Sequence, residues 1–139
     1  MPPIIRNILA VISGLALGSV VNMGLIQLGM SILPWPESID LNRPETIETN
    51  IHLLETKHFL FPFLAHALGT LVAGFVIAWI AAYNKFKLGL IASVFLIGGI
   101  MAAQMIPAPT WFLILDLGFA YLPMAWIGAK LGAGRAKKS

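Results

Sequence analysis

The 139-residue chain has no cysteine. That absence removes disulfides, thiol nucleophiles and thiolate metal sites together, and leaves the redox compartment open. Charge is scarce too: nine basic and six acidic side chains make up 11% of the residues, against 58% hydrophobic content and a mean hydropathy of +0.86. Such a chain is too apolar for an ordinary soluble domain. It contains no P-loop, no dinucleotide fingerprint, no H-E-x-x-H and no G-x-S-x-G, so no cofactor is implied. Ser93 falls toward the opposite side of the apolar segments from His66, which leaves no serine set against a base. These absences argue against an enzyme, with a lipid-headgroup reaction at His66 and Asp116 the version left standing. The net charge of +3 does not indicate a nucleic-acid partner, because the basic residues stand in ones and twos at the ends of apolar runs. There they read as topology signals and contacts to membrane lipids.

Four apolar runs fill the chain, at about Ile8–Leu33, Phe59–Tyr83, Leu88–Ile106 and Trp111–Leu131. Each has roughly the 20 residues that a helix needs to cross about 30 Å of hydrocarbon. The first is too long for a signal-peptide core and no A-x-A site follows it, so it is expected to stay as a span. Pro34 and Pro36 stop the first run, and Pro107 and Pro109 the third. That echo reads either as two hairpins related by a repeat or as ordinary helix stops. Short connections make later spans antiparallel neighbours. The expected fold is an all-α integral membrane domain over residues 1–139, an antiparallel bundle of four transmembrane helices.

Charge orients the bundle. Arg6, Lys85, Lys87, Lys130, Arg135, Lys137 and Lys138 flank one side, while the loop 34–58 carries Glu37, Asp40, Glu45, Glu48 and Glu55 against Arg43 and Lys57. By the positive-inside rule both termini and the Lys85 to Lys87 turn are expected in the cytoplasm. Trp35 and Trp111 fall at the outer boundary and Trp79 and Trp126 at the inner one, where amphipathic rings prefer to sit. In the outer loop, Pro44 and Glu45 mark a helix start, and Ile47, Ile51 and Leu54 recur at helical spacing. This predicts a short amphipathic helix lying in the outer interface between spans one and two.

Polar residues inside the spans carry whatever chemistry there is. Asp116 lies roughly 7 Å below the Trp111 boundary and His66 roughly 10 Å below the outer end of span two. Gln104 is also in the outer half, and Asn22 is near mid-membrane. A carboxylate and an imidazole within reach could hold a proton, a cation or a polar headgroup. A hydrogen-bonded knot locking four helices accounts for the same residues. Ala10, Gly14 and Gly18 recur every four residues in span one and predict a close helix contact, with span two, span four or a second copy as partner. Pro123 predicts a kink between Asp116 and Trp126. His52, Glu55 and His58 have H-x-x-E-x-x-H spacing, a weak metal signal whose bland reading is a solvated acidic stripe.

The stretches VVNMG from Val20, FPFLAHALGT from Phe61, and IPAPTWFLILDL with YLPMAW between Ile106 and Trp126 resemble a family of small uncharacterised bacterial membrane proteins. The resemblance covers most of the chain and implies an inner-membrane location and four helices, without an activity. Two functional classes fit: an oligomeric transport or binding module with a polar site in the outer half of the bilayer, and an accessory subunit docked on a larger membrane complex.

Overall fold

The computed structural model describes residues 1–135; Lys137 and Lys138, and the side chain of Arg135, lie outside the described residues. All regular secondary structure among the described residues is helical, and four helices are long and apolar enough to cross a membrane: Pro3–Ile32, Thr56–Ile80, Lys85–Met105 and Thr110–Gly134.

Helix α1 (Pro3–Ile32) begins five residues earlier than the apolar run does, because Pro3 at its first position needs no hydrogen bond there. It ends where Leu33 donates to the Gly29 carbonyl at 2.8 Å and Pro34 has no N–H to continue. The loop that follows is organised by Asp40, which accepts the Asn42 N–H at 2.9 Å while its own N–H donates to Thr46 Oγ1 at 2.8 Å. Helix α2 (Pro44–Asn50) starts at the expected proline and buries Ile47 completely. The amphipathic helix is shorter than its apolar stripe: from Ile51 the chain tightens into a 3-10 turn (Ile51–Leu53), and a second follows at Thr56–Phe59.

Helix α3 (Leu60–Ile80) ends three residues before the expected Tyr83, for a reason supplied by α1. Asn7 Oδ1 accepts the Ala82 N–H at 2.7 Å, and Arg6 Nε donates to the Ile80 carbonyl at 2.6 Å. Arg6 thereby satisfies one of the carbonyls that a helix C-terminus leaves open, and Asn7 pairs the amide just beyond it. Asn84 then takes a left-handed φ of 50°, which asparagine tolerates better than most residues, and the chain reverses there. Lys85 and Lys87, expected in a turn, therefore open helix α4 (Lys85–Gly89). A 3-10 segment (Leu90–Val94) joins it to α5 (Phe95–Met105), and together they form the third long helix.

The fourth is interrupted. Helix α6 (Thr110–Phe119) stops, Ala120 and Tyr121 stand outside the helix, and α7 (Leu122–Arg135) resumes with Ala125 donating to the Tyr121 carbonyl at 2.8 Å. Pro123 has no N–H for the Phe119 carbonyl, so the interruption falls between Asp116 and Trp126, where the proline placed it.

Helix α3 is the centre of the packing. Gly14 and Gly18 of α1 meet Ile77, Ala73 and Gly69, which settles span two as the partner of the Ala10/Gly14/Gly18 face. Gly128 and Gly132 of α7 meet the Leu71 and Phe75 carbonyls on the other side. Ala73, Ile77, Ala92 and Ala125 form one buried cluster between these helices, and Ala67, Ala120 and Tyr121 a second. In contrast Ile8, Ile12, Val20 and Met23 of α1 and Ile97, Ile100 and Met101 of α5 are exposed.

A Cβ on Gly18 would stand 2.6 Å from the Gly69 carbonyl oxygen, whereas one on Gly24 meets nothing within 4 Å. Gly18→Leu should lower unfolding stability in detergent by about 1–3 kcal/mol through overpacking, and Gly24→Ala should be neutral or raise it by about 0.5–1 kcal/mol through helix propensity. In the loop, Glu45 is held below the usual carboxylate range by the backbone N–H of its own residue and then by Arg43, which bonds it at 3.1 Å. Its contribution to stability is present above the ordinary carboxylate range and disappears as pH falls through its lowered value. An NMR titration should find its midpoint depressed, and Arg43→Gln should restore only part of the shift.

Candidate functional site

Asp116 is 4% exposed on the second turn of α6. Its Oδ1 lies 2.8 Å from Nδ1 of His66, on the second turn of α3, and its Oδ2 accepts a long hydrogen bond of 3.4 Å from the Tyr121 hydroxyl. The His66 and Tyr121 rings stack at 5.6 Å with planes 26° apart. Both carboxylate oxygens are thereby engaged. Thr70 donates to the His66 carbonyl at 2.7 Å, one helical turn below. Among the described residues no fully buried side-chain nitrogen or oxygen lacks a hydrogen-bond partner.

Tyr121 reaches the carboxylate because it sits in the interruption of the fourth span, five residues after Asp116, where a continuous helix would have carried it to another face. Gly99 of α5 leaves room for it: a Cβ there would stand 2.5 Å from the Tyr121 hydroxyl oxygen. With Asp116 ionised, His66 donates from Nδ1, and Nε2 becomes the nitrogen that can take or release a proton.

Two cavities meet at this cluster. The smaller, about 310 Å³, lies between α1 and α5 and is lined by Ser19, Asn22, His66, Thr70, Gly99 and Tyr121 among others. The larger, about 510 Å³, extends to the loop that follows α1 and is lined by Trp35, Leu41, His58, Phe59, Phe112 and Asp116 among others. His66, Gly99 and Ala102 border both. Neither protein-family models, nor curated protein sequences, nor solved structures match this chain.

Three of the four expected polar residues come together. His66 and Asp116 bond directly, and Asn22 borders the smaller cavity against Gly69. Gln104 does not join them: it is exposed and lines neither cavity. At 3.6 residues per turn it points roughly 160° away from Ala102, one of the α5 residues that border the cluster. The third span thus contributes a small-residue wall and no polar ligand. The weak metal signal also dissolves. His58 is buried with Nδ1 accepting the Glu55 N–H at 2.9 Å, a local cap, while His52 and Glu55 are exposed. No group of three or more His, Asp or Glu able to hold a metal ion occurs among the described residues.

Tyr121 and Asn7 were not singled out by sequence reasoning. A tyrosine away from either boundary, five residues after an acid and two before a proline, was the available signal for the first. The second had none, since its partner is a backbone amide far along the chain.

Asp116→Ala leaves the Tyr121 hydroxyl and His66 without their partner and should cost about 1–3 kcal/mol of unfolding stability. Tyr121→Phe removes only the long bond and should cost less than about 1 kcal/mol. Reversible unfolding in mixed micelles measures both.

Proposed function

We propose that this chain is a bacterial inner-membrane protein with four antiparallel spans and both termini in the cytoplasm, acting as a binding or transport module with its site in the outer half of the bilayer. The contacts of Arg6 with Ile80 and of Gly29 with Phe61 support opposite directions for the first two spans. The grouping of Arg6, Lys85, Lys87 and Lys130 away from the acidic loop supports the orientation. Location in the bacterial inner membrane rests on the family resemblance.

One observation carries the functional reading: the bonded His66 and Asp116 stand where two cavities meet. An ionisable group within a span is costly to keep, by a few kcal/mol when unpaired, so one that borders open space is economically explained by a ligand or a proton that uses it. Four short helices enclose little alone, and the exposed apolar faces of α1 and α5 are available for lipid or a second copy. The module therefore works as a homo-oligomer.

The accessory-subunit reading is favoured by a different observation, the complete pairing of buried side-chain polar atoms among the described residues, which is what a purely structural knot requires. Native mass spectrometry of particles extracted gently from the protein's own membranes separates the two. Copies of this chain alone, or with small ligands, are expected. Stoichiometric co-purification of a larger membrane protein would replace the module by the accessory reading.

A further inference from the structure

We infer that the ligand of this site is a hydrophobic organic cation, an ammonium or phosphonium centre on an aromatic or alkyl body, which occupies the larger cavity when the His66–Asp116 pair has released its proton. The inference rests on the binding-module reading above and names its ligand.

Charge makes the first selection. Among the described residues Asp116 is the only acidic one lining either cavity, and no described lysine or arginine lines them. An anion would find only two histidines, both already engaged: His66 by the carboxylate at 2.8 Å and His58 by the Glu55 N–H at its Nδ1. A neutral polar solute would meet mainly apolar wall. The wall itself makes the second selection: Trp35, Phe59, Phe61 and Phe112 line the larger cavity together with Met23 and Met30. Aromatic faces attract cations, most strongly where water is excluded, and thioethers adapt to irregular apolar bodies. The volume of about 510 Å³ lies within the range of sites that hold drug-sized molecules.

The pair also explains exchange. With a proton on each imidazole nitrogen and Asp116 ionised, the pair is neutral. When Nε2 releases its proton to the outer solution, a net negative charge remains in a low-dielectric site. A cation then restores neutrality without forming a covalent bond. Proton and cation thus compete for one charge, since two positive charges against one carboxylate are penalised. The titratable groups that line the cavities are Asp116 on α6, His66 on α3, Tyr121 at the α6–α7 interruption and His58 before α3; α1 and α5 contribute none. His58 borders the larger cavity with its Nδ1 engaged by the Glu55 N–H.

Tetraphenylphosphonium binding to the purified full chain, followed by equilibrium dialysis, tests this, with tetraphenylborate as the probe of like shape and opposite charge. Saturable binding of the cation is expected, and it weakens as protons are added. The borate should not bind saturably. Asp116→Asn should abolish cation binding, and His66→Gln should bind with little dependence on pH. His58→Gln should keep that dependence. Ala102→Phe fills the space that both cavities share while leaving the pair intact. It should lose binding with its helical circular dichroism unchanged, which guards against mistaking misfolding for a lost site. Equal binding of both probes, or full binding in well-folded Asp116→Asn, overturns the inference. Absence of cation binding by a particle composed of this chain alone overturns the cation assignment and leaves the module standing. A larger stoichiometric partner removes the module itself.

Discussion

Close backbone approach along α3 is the constraint on which the rest of the structure depends. Apolar side chains gain nothing by leaving lipid, so helices in hydrocarbon associate through packing and interhelical hydrogen bonds, and small residues set how near they come. Helix α3 accepts such contacts on two sides, from Gly14 and Gly18 of α1 and from Gly128 and Gly132 of α7. On the α7 side Gly74 also approaches the Gly89 and Ala125 carbonyls, at 3.3 and 2.9 Å from its would-be Cβ. Held this way, α3 has fixed rotation, and His66 with it. Helix α5 stands apart from that stack, facing α1 across the smaller cavity, so the same packing that locks one side of the bundle leaves the other open.

The interruption at Ala120–Tyr121 ties the backbone to the site. A proline removes one helical hydrogen bond and costs stability in a soluble helix, and the cost is tolerated in a span when the freed groups are satisfied locally. Here the break delivers a hydroxyl to Asp116 and lays an aromatic ring against His66. A buried carboxylate with both oxygens engaged is far cheaper than an isolated one. Arg6 and Asn7 perform a comparable service at the opposite end of α3, taking up the Ile80 carbonyl that its terminus leaves open and the Ala82 N–H just beyond it. The two ends of the bundle therefore differ in kind: one is tied shut by backbone caps, the other carries a polar cluster beside empty space.

How much of this was legible differs from residue to residue. The four long helices were read from apolar run length, and Pro34 and Pro123 acted where proline chemistry says they must. Boundaries were less secure. Lys85 and Lys87 entered a helix because the reversal is complete within residues 81–84, and Tyr83 left one because a side chain of α1 terminates it. Depth along the span correctly suggested His66 and Asp116 as neighbours, since two groups at similar distance below one boundary need only face each other. Depth could not do the same for Gln104, whose rotation about α5 points it outward. Nor did residue spacing reveal that His58 is engaged in capping a turn.

By itself the sequence determined the helical class, the number of long apolar helices and the polar residues they contain, because length, hydropathy and proline act locally. Only the tertiary structure decided that Gly14 and Gly18 face α3, that Asp116 meets both His66 and Tyr121, and that cavities open beside them. Those outcomes depend on the rotation of each helix about its axis and on the spacing between axes. Both are set by which small residues meet across an interface, a property of pairs of segments that no single segment contains.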